Sequence, residues 1–198
     1  MKETINPKFF FPDYTGRLGD LRLERRGIEL WSKLSAHPSS TVRQLAADRA
    51  EQKAYYRFLN NDRIKEDTFI EEASHRIGNL VKDRHLLCVQ DTCEINLSRH
   101  KGRLNENSGL GLSDKFDTRH CFKLHPGLVL GAQDLNPLGF SHIKVFSRPE
   151  ERPDRNQRRY KQQPITEKES YKWIETAQES KKVLKKAASV TFIEDREG

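Results

Sequence analysis

Two short apolar segments, each ending in an aspartate, most constrain the fold of this chain of 198 residues. They are residues 86–91, with the sequence LLCVQD, and residues 190–195, with the sequence VTFIED. Neither alternates polar and apolar residues as a half-exposed strand does, so both are expected to be buried on two faces, like central parallel strands. A helical pattern over residues 167–188 precedes the second segment and favours a right-handed connection between parallel neighbours.

The two aspartates, Asp91 and Asp195, are therefore predicted to meet at one edge of a sheet. Neighbouring strands lie about 5 Å apart, and open α/β sheets bind ligands beyond the carboxyl ends of their strands. Two close carboxylates repel each other unless a cation lies between them, and Mg²⁺ or Mn²⁺ suits such a pair. These cations support phosphodiester cleavage. The alternative is that both aspartates only end their strands, because Asp favours turns.

The remaining patterns divide the chain into a helical region, residues 1–84, and a region of strands and a helix, residues 85–198. Further strand patterns follow the first apolar segment, and we summarise the order from residue 86 as strand, strand, strand, helix, strand. This order is typical of the start of a ribonuclease H-like sheet in an α+β or α/β fold. The helical patterns cover residues 19–36, 41–60 and 66–82, and the further strand patterns cover residues 94–98, 121–132 and 140–146.

The helical region is expected to be a small bundle with basic faces. In its first helix, an apolar set recurs near helical spacing and predicts the buried face: Leu21, Ile28, Trp31 and Leu34. Ser39 and Ser40 are candidate caps of the second helix.

Composition and cysteine usage narrow the functional class. Lys and Arg number 36 against 29 Asp and Glu, a net charge of +7, which suits a polyanionic partner. The apolar runs are too short to span a bilayer, and no apolar signal core follows the N-terminus, so we expect no membrane association and a cytoplasmic location. The three cysteines are an odd number without a CxxC pair, which favours a reducing compartment and buried thiols over a zinc site.

The segments around the two aspartates resemble the insertion-sequence-four family of DDE transposases. Residues 91–93 (DTC) are similar to the family's Asp-Thr-Thr motif, although Cys93 stands where the second Thr is usual. Residues 193–198 (IEDREG) are similar to its Asp-Arg-Glu motif. In the helical region, residues 19–22 (GDLR) and 54–60 (AYYRFLN) are similar to two further family segments.

This resemblance implies a bacterial cut-and-paste DNA transposase that is associated with the nucleoid. Its ribonuclease H-like core would hold a divalent metal, with Asp91 and Asp195 as catalytic and metal-binding residues. Its N-terminal helices would bind the terminal inverted repeats of a transposon in double-stranded DNA, and a homodimer would pair two DNA ends. The family's third carboxylate belongs to a later Tyr-Arg and Glu signature that residues 1–198 lack, so we expect a truncated chain that is inactive alone.

Basic side chains near the motifs are the candidate DNA contacts. Arg57, beside Tyr56 and Phe58, can reach phosphates or a guanine edge while Phe58 packs inward, and two arginines four residues apart share a face of the first helix. The basic segment after the first aspartate, and the basic loop 148–161, can grip the DNA backbone near a cleavage site. A solvated surface is the alternative for each. The candidates are Arg22, Arg26, Arg43, Tyr56, Arg57, Arg99, His100 and Lys101.

Three functional hypotheses follow from these patterns. The first is a transposase whose catalysis needs more than this chain. The second is a non-catalytic DNA-binding protein that occupies transposon ends and inhibits transposition. The third is a small ribonuclease H-type nuclease.

Overall fold

The computed structural model describes residues 11–38, 40–104, 109–113, 119–148 and 162–195. The chain divides into two compact units, one ending at Arg76 and the other beginning at Ile77. The predicted order, helices first and then a part that contains a sheet, is confirmed. Separate folding of residues 1–84 stays a prediction. Ser39, residues 149–161, residues 196–198 and the side chain of Lys101 lie outside the described part of the chain.

The first unit is helical. The stretch predicted as one helix over residues 41–60 is two helices, because Ala46 adopts an extended backbone and Asp48 starts a new helix by accepting a hydrogen bond from Glu51 N at 2.8 Å. The cap of the first of these is Thr41, in a capping box with Gln44, and not a serine. The helices are α1 (Leu21–Ala36), α2 (Val42–Leu45), α3 (Arg49–Leu59) and α4 (Glu66–Gly78).

The buried face of α1 differs from the predicted one. Leu21, Ile28 and Leu34 are 65%, 37% and 38% exposed and Trp31 is half-buried, whereas Gly27 and Glu24 are buried. Gly27 packs closely against the core, since a Cβ there would lie only 3.1 to 3.2 Å from the rings of Tyr14 and Phe58. Glycine and glutamate carry no apolar signal, so hydrophobic periodicity overlooks this face. The core of the unit is formed by Tyr14, Leu18, Leu30, Leu45, Tyr55 and Phe58.

The second unit contains a mixed sheet and one long helix. Five strands precede that helix within the described residues, against three in the predicted order and four among the strand patterns, and the helix is shorter than the predicted residues 167–188. A 3-10 helix covers Ser98–Arg103. The elements are β1 (His85–Gln90), β2 (Cys93–Asn96), β3 (Gly111–Leu112), β4 (His120–Gly131), β5 (Pro137–Phe146), α5 (Tyr171–Val183) and β6 (Ser189–Ile193).

The long strand β4 organises the sheet. It pairs antiparallel with β1, β2, β3 and β5, and β1 pairs parallel with β6. The predicted parallel neighbours are therefore confirmed, with Val89 opposite Ile193. The prediction that both are buried on two faces is wrong for β6. This strand ends the order β2-β4-β1-β6 among the described residues, and its side chains are exposed or half-buried because an edge strand has a neighbour on one side only.

Candidate nucleic-acid interface and carboxylate pair

One face of α3 is exposed and basic. Lys53, Tyr56, Arg57 and Asn60 follow one another at helical spacing and are all exposed. The opposite face carries the buried core residues of this helix. The core thus holds α3 in place while its polar face stays open to a partner.

This face continues into the turn that follows α3 and forms an open groove of about 820 Å³. The turn is held by local hydrogen bonds, because Asn61 Oδ1 accepts from Arg63 N at 3.0 Å and Arg63 Nη1 donates to Gly19 O at 3.4 Å. Guanidinium and amide groups bind phosphates and base edges, so the lining chemistry suits nucleic acid. The groove is lined by Lys53, Tyr56, Arg57, Asn60, Asn61, Asp62 and Arg63.

A buried phenol joins α3 to α1. Tyr55 is fully buried, and its hydroxyl lies 3.1 Å from Glu29 Oε1 and 3.0 Å from Glu51 Oε1. Each carboxylate also has a cation, since Arg26 donates to Glu29 at 2.9 Å and Lys33 donates to Glu51 at 2.7 Å. The hydrogen bond from Lys33 is the main reason why the pKa of Glu51 falls to about 2. This network fixes the orientation of α3 relative to α1.

The structure brings only some of the predicted DNA contacts together. Tyr56 and Arg57 line the groove. Arg22 and Arg43 are exposed on α1 and α2, outside the residues that line it, and Arg26 is already paired with Glu29. Contact with DNA stays a prediction for all of these side chains.

The predicted contacts near the first aspartate lie in the second unit. Arg99 and His100 are exposed in the 3-10 helix Ser98–Arg103, which also contains the backbone of Lys101. Arg148, at the start of the predicted basic loop, donates to both carboxylate oxygens of Glu169 and to Ser113 O. This guanidinium therefore has a structural role within its unit.

Sequence reasoning missed most of the groove. Five of its seven lining residues were not among the predicted contacts: Lys53, Asn60, Asn61, Asp62 and Arg63. The spacing of four residues between Lys53 and Arg57 was a readable signal, because such residues share a helix face. The turn residues carried no such signal.

The two aspartates end neighbouring parallel strands. Asp91 directly follows β1, and Asp195 follows β6 by two residues. Val89 opposite Ile193 is the last paired position, two residues before Asp91 and Asp195, so both aspartates follow the pair at the same edge of the sheet. Both are exposed, and Asp91 Oδ1 accepts a hydrogen bond from Thr92 N at 2.6 Å.

The chemistry of this edge suits one hard cation. Two carboxylates with waters and substrate phosphates form a typical magnesium site. Among the described residues, no group of three or more His, Cys, Asp or Glu side chains is placed to hold a metal. Cys88 and Cys121 are buried, as expected, whereas Cys93 is exposed, so the expectation of a buried thiol is wrong there. A short strand with few neighbours, β2, leaves Cys93 open to solvent.

A buried histidine lies beneath the carboxylate edge. His125 on β4 is fully buried, and its ring packs edge-on against Trp173 with 4.4 Å between ring centroids. Its Nδ1 is 2.8 Å from Thr92 Oγ1, and its Nε2 is 3.1 Å from Gln90 Oε1. Burial, and after it the charge of Lys172, lower the pKa of His125 to about 4, while the charge and the backbone of Asp91 oppose the shift. The imidazole is therefore neutral at pH 7.

A cross-strand hydrogen bond joins the two strand ends. Gln90 is buried and its Nε2 donates to Glu194 Oε1 at 2.9 Å. These residues directly precede Asp91 and Asp195, so the bond limits the separation of the two aspartates.

None of the helices within the described residues has the length and apolar character that crossing a membrane requires.

Residues 15–64 match a family model described as transposase DNA-binding. The match includes α1, α2, α3 and the turn that completes the groove. No curated protein matches the chain. The helical unit is thus similar to the DNA-binding region of transposases, and a transposase-related DNA-binding role is supported for this chain.

Proposed function

We propose that this chain is a cut-and-paste DNA transposase component that binds transposon ends in double-stranded DNA and uses Asp91 and Asp195 in metal-dependent cleavage. The observation that carries the proposal is the match of residues 15–64 to transposase DNA-binding regions, because it coincides with the exposed basic face of α3. The same proposal includes a ribonuclease H-like sheet, membership of the insertion-sequence-four family and pairing of two transposon ends by a homodimer.

Binding of DNA is assigned to α3. An α-helix fits the major groove of duplex DNA, and Tyr55 and Phe58 anchor α3 to its own unit on the other side. In this position Arg57 donates to a guanine edge or a phosphate, and Lys53 neutralises a phosphate. Asn60 offers the amide donor and acceptor that pair with adenine.

Cleavage is assigned to the carboxylate edge. Asp91 and Asp195 would hold one Mg²⁺ or Mn²⁺, which when bound supplies Lewis-acid polarisation of the phosphodiester and an acidic water. The two carboxylates orient the cation and balance its charge. The parallel pairing of β1 with β6 supports this assignment, because it carries both residues to the same end of the sheet.

The DNA-binding part is tested by titrating labelled duplexes from the DNA on either side of the coding region, with shuffled duplexes of equal length. Because a bidentate contact to a base is worth about 1–3 kcal/mol, Arg57→Ala should weaken binding roughly 5- to 150-fold. Lys82→Ala removes one charge at a side chain that is 78% exposed and outside the groove, and should leave affinity within about twofold. Equal losses of DNA affinity in Arg57→Ala and Lys82→Ala would show that Arg57 is not part of the interface.

A second candidate is the non-catalytic DNA-binding protein that occupies transposon ends. It is favoured by the observation that no third metal-binding side chain joins the pair among the described residues. Titration with Mn²⁺ separates the two candidates. The transposase proposal expects Mn²⁺ binding that Asp91→Asn abolishes without loss of DNA affinity. Equal Mn²⁺ binding by wild type and variant would favour the non-catalytic candidate.

A further inference from the structure

A continuous series of hydrogen bonds runs beneath both ends of the carboxylate edge. It begins at Thr92, next to Asp91, passes through His125 and Gln90, and ends at Glu194, next to Asp195. Its two central members are fully or almost fully buried, at 0% exposure for His125 and 2% for Gln90. Water therefore cannot replace a lost partner without entering the core.

The direction of every bond in this series follows from its last member. An ionised carboxylate only accepts hydrogen bonds, so Gln90 must present its NH₂ group to Glu194. Gln90 Oε1 is then the acceptor for His125 Nε2–H. A neutral imidazole with a proton on Nε2 has an acceptor at Nδ1, which receives the hydroxyl proton of Thr92.

We propose that Gln90 and His125 are positioning residues that set the relative placement of Asp91 and Asp195. Thr92 connects the series to the first aspartate, because its backbone N donates to Asp91 Oδ1 at 2.6 Å while its hydroxyl is held by His125. Gln90 connects it to the second aspartate by holding the residue immediately before Asp195. The inference rests on the proposed cation site.

Loss of one member of the series should weaken cation binding more than it lowers the stability of the fold. Partners that orient metal ligands are worth about 10- to 100-fold in metal affinity. Gln90→Met keeps a similar volume but has no polar group for Glu194 or His125. Thr92→Val removes the hydroxyl donor at nearly constant shape and serves as an independent variant if Gln90→Met does not fold.

A control variant breaks an exposed side-chain contact between the same two strands. His85 on β1 lies with its Nε2 3.2 Å from Thr191 Oγ1 on β6. Thr191→Val removes this cross-strand contact without touching the series. It therefore reports what loosening the β1–β6 pair does by itself.

The experiment is titration of the full chain with Mn²⁺ alone, followed by electron paramagnetic resonance of the free ion. Gln90→Met and Thr92→Val should bind Mn²⁺ at least about 10-fold more weakly than wild type, and Thr191→Val should bind like wild type. If Gln90→Met and Thr92→Val bind Mn²⁺ as wild type does while Asp91→Asn binds it more weakly, the positioning role is overturned and the cation site is retained. Unchanged affinity in Asp91→Asn would overturn both.

A second readout needs no metal. Nitrogen-15 spectra of the imidazoles at pH 7 should show His125 as the Nε2–H tautomer, and Gln90→Met should change its nitrogen shifts while Thr191→Val should not. An Nδ1–H tautomer would contradict the direction of the series and overturn the inference, whatever the metal titration gives.

Discussion

Removing one hydroxyl at the centre of the helical unit should destabilise that unit measurably. Tyr55→Phe deletes the donor that lies between Glu29 and Glu51 and keeps the ring in the core. The contacts of Arg26 and Lys33 with the ring face, 5.6 and 5.4 Å from its centroid, are available to phenylalanine as well. The substitution therefore isolates the hydroxyl.

The expected magnitude follows from the surroundings of that hydroxyl. A hydrogen bond to a charged group contributes about 1.5–3 kcal/mol. Glu29 and Glu51 keep their cations, and their side chains are 39% and 18% exposed, so water can solvate them after the substitution. We therefore expect the lower end, about 1.5 kcal/mol. For a domain of this size that loss lowers the Tm by roughly 6–12 °C.

The assay is thermal unfolding of the full chain followed by far-ultraviolet circular dichroism. The matched control is Tyr56→Phe, which deletes the same group from the adjacent tyrosine, 46% exposed on the groove side. The control should leave the Tm unchanged. If both variants unfold at the same temperature, the hydroxyl of Tyr55 does not hold α3 against α1 and the reasoning is refuted.

Further outcomes concern the second unit. The pKa of His125 is about 4 in the folded chain, below the ordinary 6.5, so as the pH falls the unfolded chain binds the extra proton first. The contribution of the neutral imidazole to the free energy of unfolding is therefore fully present above pH 6.5 and is lost as the pH falls towards 4. Denaturant titrations should show this slope, and His125→Gln should flatten it; an unchanged slope would contradict a buried neutral imidazole. Cys93 is exposed, whereas burial raises the pKa of both Cys88 and Cys121. A thiol reagent should therefore modify one cysteine rapidly in the native chain and all three in denaturant, and Cys93→Ser should remove the rapid phase; three equal rates in the native chain would be inconsistent with this core.

The parallel pair β1 and β6 could be predicted because its signals are local. Each strand is a short apolar run that ends in a carboxylate, and a helix of amphipathic pattern directly precedes β6. Handedness and strand pairing then restrict the arrangement. The exposure of β6 could not be read from the same residues, because the position of a strand in the sheet order depends on which other segments pair with it.

The break between α2 and α3 was also encoded locally but was overlooked. Asp48 is followed three residues later by Glu51, and this pattern often marks the start of a helix. In the structure Asp48 accepts a hydrogen bond from Glu51 N. Hydrophobic periodicity continues across the break, and it therefore predicts one helix where two exist.

The partners of His125 could not be predicted from the sequence. Thr92 and Gln90 lie 33 and 35 residues away, and the antiparallel pairing of β1 and β2 with β4 brings them to His125. Its connection to both ends of the carboxylate edge is a property of the fold.

The central claim is that Asp91 and Asp195 share one cation. Paramagnetic broadening by Mn²⁺ in the amide spectrum of the nitrogen-15-labelled chain tests it most directly. The account predicts that substoichiometric Mn²⁺ broadens residues around Asp91 and around Asp195 together, and that Asp195→Asn removes the effect at both strand ends. Broadening at one strand end only, or survival of the effect at Asp91 in that variant, would contradict a shared site.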